Sequence, residues 1–171
     1  EDHGTLIARL DERTTENMNS VERTIAMTGL DIGKLLMRLG LAPQAQGGPF
    51  VAAAADSTDE PAIELAGRVA RLETQIDRMG GLRQILAVLP LASPLDNAWT
   101  TAGYGKRRDP ITGEWAMHTG LDLVSEPGSQ IVAPAPGRVT FVGWKGGYGK
   151  MIEIDHGLGI RTRYGHLKQI N

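Results

Sequence analysis

Apolar side chains in the first half of the chain recur at alternating steps of three and four. Met18, Val21, Ile25, Thr28, Ile32, Leu35 and Leu39 follow this rule, and Ile7, Leu10, Thr14 and Asn17 carry a weaker version upstream. Such positions share one face of a helix, so the spacing predicts a long helix from about Thr5 to Leu41, stopped at Gly40-Leu41-Ala42-Pro43. A second stripe runs through Leu65, Val69, Leu72, Ile76, Met79, Leu82 or Arg83, Leu86 and Leu89, and predicts a helix from about Glu60 to Leu89. Asp59 is placed to cap it and Pro61 to sit in its first turn, while Gly80-Gly81 should weaken or bend it. Between the stripes, the Gly-, Pro-, Gln- and Ala-rich stretch at about 43–58 predicts a flexible connection. Two helices so joined suggest an antiparallel hairpin, or two arms of a coiled coil made with a second copy or another partner.

From Pro90 the pattern changes to short β-branched segments bounded by glycine and proline. Residues 130–133, 137–144, 150–155 and 160–164 predict strands. Gly146-Gly147-Tyr148-Gly149 and His156-Gly157-Leu158-Gly159 predict tight connections between them. The expected architecture is α+β: a long-helix hairpin or coiled coil over 1–91, then an antiparallel β domain over 92–171. The last strand would be left as an unpaired edge, so that domain is expected to be incomplete at its C-terminus.

Composition narrows the functions. With 22% charged residues, a formal net charge of -2 and pI near 6.1, nothing global favours nucleic acid, and the clusters Lys106-Arg107-Arg108 and Arg161/Arg163 are too short to change this. The absence of cysteine removes disulfide frameworks and thiolate metal sites. No apolar run is long enough for a membrane span, so a membrane link would need an anchor upstream. The chain opens at Glu1-Asp2-His3 without a methionine and stops five residues after His166, and is expected to be an internal piece of a longer protein.

The candidate chemistry lies in His118-Thr119-Gly120-Leu121-Asp122 and in Tyr164-Gly165-His166-Leu167. A histidine and a carboxylate can both ligate zinc, and a further histidine can work beside the metal. On a straight strand, however, His118 and Asp122 would lie about 13 Å apart at roughly 3.3 Å per residue, so the segment must bend, with Gly120 the residue expected to permit it. Plainer readings remain at this point: a surface hydrogen bond between His118 and Asp122, a half-buried His166 bonded to backbone, and His156 as a turn residue. A phosphotransfer role for His166 would require a facing histidine and no carboxylate ligand, and Asp122 speaks against it.

One longer string carries a resemblance. Ser93-Pro94, Gly103-Tyr104-Gly105, Arg108-Asp109-Pro110-x-Thr112-Gly113, His118-x-Gly120-x-Asp122 and Pro127-Gly128 are followed by Ala133-Pro134, Gly137-x-Val139, Gly147-Tyr148-Gly149, His156-Gly157-x-Gly159 and Tyr164-x-His166-Leu167. From Ser93 onward the chain resembles the lysostaphin-type (LytM-type, M23) peptidoglycan metallopeptidases. The resemblance implies a zinc-dependent endopeptidase acting on peptidoglycan peptides in the periplasm or bacterial cell envelope. It assigns His118 and Asp122 as ligands of one zinc ion and His166 as a catalytic histidine. The family's third ligand belongs to a C-terminal His-x-His element, which nothing after His166 matches. The third ligand is therefore expected beyond Asn171, and the chain by itself is expected to be inactive. The alternative is a non-catalytic relative that binds peptidoglycan or activates another wall hydrolase. By analogy with relatives, the helices would localise the protein, shield its site or pair with another copy.

Overall fold

The computed structural model describes residues 3–41, 60–108 and 113–171. Among the described residues, three α-helices are followed by seven strands, an α+β arrangement in which every strand pairing is antiparallel. The chain divides into two compact units, Glu1–Val88 and Leu89–Asn171. Among the described residues, no helix is long and apolar enough to cross a membrane. The expected flexible connection at 43–58 and the Asp59 cap fall outside the described residues.

The first helical stripe is not one helix. Helix α1 spans His3–Met27 and α2 spans Ile32–Arg38. Gly29 takes a left-handed φ of 74°, and Asp31 then caps a new helix by accepting the Lys34 N–H at 3.1 Å. Periodicity alone runs across this break. The glycine followed two residues later by aspartate is the local stop-and-restart signal that overrides it.

Helix α3, Glu60–Val88, passes through Gly80-Gly81 as one helix. Gly81 is where a neighbour comes close: a Cβ there would sit 2.6 Å from Leu41 Cδ1 and 2.9 Å from Leu36 Cδ2. The glycine permits this approach, and Ile25, Leu35, Leu36, Leu82 and Ile85 fill the core of the unit. Farther toward the helix starts, Leu6, Leu10, Val69 and Ile76 remain exposed.

Of the two expected arrangements, antiparallel hairpin or coiled-coil arms, the helix partners select a parallel pairing. Ile7 and Asp11 share a cleft with Arg68, Arg71 and Leu72, Gln75 Nε2 donates to Asp11 Oδ1 at 2.8 Å, and Arg78 pairs with Glu22 at 2.6 Å. The numbers rise together on both helices, so α1 and α3 run parallel. The stripe contains no information about direction. Direction is set by which residues meet, here the Gln75–Asp11 and Arg78–Glu22 pairs.

The C-terminal unit holds two kinds of sheet. Strands β1 (Trp99–Ala102) and β4 (Asp122–Val124) form one pair, and β2 (Gly105–Arg108) and β3 (Trp115–His118) another. Both pairs belong to one two-stranded ribbon, interrupted at 103–104 on one strand and 119–121 on the other. Strands β5 (Arg138–Trp144), β6 (Lys150–Gly157) and β7 (Ile160–Tyr164) form a three-stranded sheet with β6 in the middle. The expected strand at 130–133 does not form. Val132 N–H donates to Pro94 O at 2.9 Å instead, and the following Pro134 and Pro136 have no N–H to continue a ladder.

Beyond Leu89 at its start, the buried residues described in this unit lie on strand β6: Met151, Glu153, Ile154 and His156. His156 lies in the strand and not in the turn after it, because the register shifts between Asp155 and Gly157. Its ring is enclosed and fully partnered. Nδ1–H donates to Pro136 O at 2.8 Å, and Nε2 accepts from the Thr162 hydroxyl at 2.8 Å, which itself accepts from Tyr164 O–H. Glu153 accepts from Arg163 Nε at 2.7 Å and from the Thr140 hydroxyl, and Arg161 Nε donates to Asp155 at 3.2 Å. The Arg163 guanidinium holds the Glu153 carboxyl below its ordinary value, and the Gly157 N–H, with Arg161, does the same for Asp155.

Two predictions follow from this packing. Gly80 faces open space, so Gly80→Ala should stabilise the helical unit by about 0.5–1 kcal/mol through backbone entropy. Gly81→Ala should instead destabilise it by about 1 kcal/mol, because buried Leu36 must shift. Thermal melts followed by helical ellipticity compare the two, and equal effects would refute the close approach.

The second concerns acid. Depressed carboxyl pKa values mean that the unfolded chain binds more protons near and below the ordinary values of 4.5 for Glu153 and 3.8 for Asp155. The stability they contribute is full above those values and is lost as pH falls through the lower folded ones. Glu153→Gln should flatten the acid limb of stability against pH, measured by denaturant titration between pH 3 and 7. An unchanged slope would count against the network.

Candidate metal centre

Two strand ends create the site. His118 closes β3 opposite Gly105, and Asp122 opens β4 opposite Ala102. The three residues between them change the chain's direction, so the pair that a straight strand would hold about 13 Å apart meets with His118 Nε2 3.2 Å from Asp122 Oδ1. Gly120 is not what makes the turn possible. Its φ is not left-handed, and a Cβ there would touch only His118 Nε2, at 3.9 Å. The bend arises from the interruption of the ribbon, matched on the facing strand by Gly103-Tyr104 and a φ of 134° at Gly105.

Hydrogen bonding orients both groups. His118 Nδ1 lies 2.7 Å from Gly103 O, and a carbonyl only accepts, so Nδ1 carries the proton. In a neutral ring, Nε2 then presents its lone pair to a carboxylate oxygen. Two acceptors 3.2 Å apart call for a shared cation, either a proton on the imidazole or a metal ion. Two zinc ligands at bond lengths of about 2.0–2.2 Å and a tetrahedral angle lie about 3.3 Å apart. The pair thus fits two positions around a zinc ion, and the Nδ1–H to carbonyl bond is the orienting contact expected behind a ligating histidine.

The Asp122 carboxylate has a second side-chain partner that the sequence does not single out. Arg107 Nη2 donates to Asp122 Oδ2 at 3.1 Å, leaving Oδ1 for His118. In the sequence Arg107 is the middle of the basic run Lys106-Arg107-Arg108. Alternation along β2 separates it from Lys106 and Arg108, but only the register against β3 shows that it shares the His118 side. Thr101 Oγ1 also donates to the Asp122 backbone carbonyl at 3.2 Å.

His166 is held elsewhere, against the turn that leads into β6. Its N–H donates to Tyr148 O at 2.7 Å, and Leu167 N–H donates to Lys150 O at 3.1 Å. Its φ of 57° is a conformation that non-glycine residues seldom take, and such backbone strain concentrates at functional sites. Gly149 lies beside the ring, and its φ of 61° is the left-handed conformation that favours glycine. Among the described residues, no group of three His, Asp or Glu side chains could hold one metal ion. Among the described residues, the candidate centre consists of the His118–Asp122 pair.

Comparison with known proteins agrees with the motif resemblance. Residues 116–171 match Peptidase family M23. The DD-carboxypeptidase/endopeptidase Mpg of Neisseria meningitidis serogroup B (strain ATCC 13091 / M2091) is 40% identical over 74 residues, 43% of this chain and 17% of that protein. The peptidoglycan DD-endopeptidase ShyB of Vibrio cholerae is 32% identical over 80 residues, 45% of this chain and 19% of that protein. An uncharacterized metalloprotease of Haemophilus influenzae is 38% identical over 64 residues, 37% of this chain and 14% of that protein. The chain thus spans less than a fifth of the length of these relatives. No solved structure matches it.

If Arg107 fixes Asp122 for metal binding, Arg107→Gln should weaken zinc affinity by about tenfold, as loss of an orienting partner does. Competition against a chromophoric chelator measures this. Tighter binding by the variant would show that the guanidinium competes with the metal.

Proposed function

We propose that the whole protein is a zinc-dependent peptidoglycan endopeptidase of the bacterial envelope, with the segment similar to Peptidase family M23 following a helical segment. The observation that carries this reading is the His118 Nε2–Asp122 Oδ1 approach of 3.2 Å, with His118 Nδ1 already committed to Gly103 O. It falls in the segment that matches the family, and a relative is named for peptidoglycan DD-endopeptidase activity.

His118 and Asp122 would hold the ion, with a third ligand supplied from outside the described residues. Bound there, zinc supplies Lewis acidity toward the scissile carbonyl and toward water. Arg107 keeps the Asp122 carboxylate turned so that Oδ1 faces His118, and its own positive charge favours electron-rich oxygens nearby. The His166 imidazole would carry a proton during peptide cleavage, because a ring nitrogen can both take up and release one. The position of the His166 backbone, braced by Tyr148 and Lys150, limits the orientations its ring can take.

A second reading is a non-catalytic wall-binding or activating protein of the same fold, favoured by the fact that no group of three metal-ligating side chains occurs among the described residues. Release of soluble muropeptides from purified sacculi separates the two. The expected pattern is no release by the 171-residue chain, release by protein extended past Asn171, and loss of that release in His118→Ala by more than about a hundredfold. Failure of the extended protein to release fragments would replace the hydrolase with the binding protein.

A further inference from the structure

The ribbon that carries His118 on one side carries a different surface on the other. Lys106 and Arg108 are the exposed residues of β2, and each places its cation over the same ring: Lys106 Nζ lies 5.4 Å and Arg108 Cζ 5.7 Å from the Trp115 centroid. Trp115 is nevertheless 63% exposed. Met117, paired with Lys106, extends the same exposed side. Arg107, by contrast, points to Asp122 on the other side. The Lys-Arg-Arg run therefore splits, one cation serving the candidate metal centre and two meeting a tryptophan.

We propose that Trp115, Lys106 and Arg108 form a wall-binding surface for a carboxylate-bearing glycan polymer, distinct from the His118–Asp122 side of the ribbon. The identity of that polymer as peptidoglycan rests on the proposed function. The match is chemical. The apolar face of a sugar ring stacks on an indole, and free carboxylates of the attached peptides meet the two cations held beside it. Two cations are too few for the alternatives. Juxtamembrane lipid binding draws on clusters of about four to eight Lys or Arg, and duplex DNA on about six to ten phosphate contacts. A polymer that repeats one ring and one charge many times suits a small patch, because rebinding along the same strand raises its apparent affinity. Held this way, the opposite side of the ribbon stays beside its substrate.

The test is cosedimentation of the 171-residue chain with purified sacculi, with a chelator present so that cleavage plays no part. The variants are Trp115→Ala, the double change Lys106→Gln with Arg108→Gln, and Trp144→Ala. Trp144 is 75% exposed on β5 and controls for loss of any surface tryptophan. The proposal expects the parent and Trp144→Ala to pellet alike, with Trp115→Ala and the double variant bound about tenfold more weakly or worse. It also expects no pelleting of the parent with chitin, a neutral glycan, and none with anionic phospholipid vesicles. Equal binding by parent and patch variants, loss in Trp144→Ala as large as in Trp115→Ala, or no sedimentation of the parent with sacculi would each overturn it. So would binding to chitin or vesicles as strong as to sacculi. Because hydrolysis is suppressed, a failure of the peptidase assignment would leave this result standing, and the reverse also holds.

Discussion

The bend in the two-stranded ribbon is the constraint on which the rest of the site depends. Antiparallel pairing continues on both sides of the interruption, so β1–β4 and β2–β3 each keep their backbone groups satisfied. The interruption itself frees Gly103 O to accept from His118 Nδ1 and allows Asp122 to fold back against Nε2. A ribbon that stayed straight would satisfy the same backbone groups but separate the two side chains by several residues of strand rise. The chemistry thus follows from where the ladder stops.

Electrostatics divide the C-terminal unit into two regimes. On the β5–β7 sheet, the polar groups of Glu153 and His156 are buried and find partners in Arg163, Thr140, Thr162 and Pro136. Such groups tie strands together because leaving any of them unpaired would cost about 1–3 kcal/mol. At the ribbon the balance is different. Asp122 is about half exposed and shared between Arg107 and His118, and the His118–Asp122 contact still calls for a cation. The partnered sheet is rigid support, and the candidate site sits where a carboxylate remains half exposed and shared.

The helical unit shows how little a hydrophobic stripe specifies. Its buried residues cluster around Ile25, Leu36, Leu82 and Ile85, while Leu6, Leu10, Val69 and Ile76 of the same two stripes remain exposed. Polar contacts fill part of the remaining interface. Gln75 gives its amide N–H to Asp11 and Thr15, and its buried oxygen has no partner among the described residues. A buried polar group that is satisfied in only one register is a device for choosing register and direction at a cost in stability.

By itself the sequence determined the α+β order, the helical and strand periods, and the family-like string that singled out His118, Asp122 and His166. These are local properties, written in side-chain spacing and in turn residues. It also held the signals for two features that periodicity obscured, the Gly29–Asp31 restart and the prolines that deny a strand at 130–133. Only the tertiary structure decided the parallel sense of α1 and α3, the inward turn of His156, the Arg107–Asp122 bond, and the opposite sides taken by Arg107 and its two basic neighbours. Each of these depends on which residue lies across from another. Register and direction are set by the sum of many cross-element contacts, and no single window of sequence contains both partners.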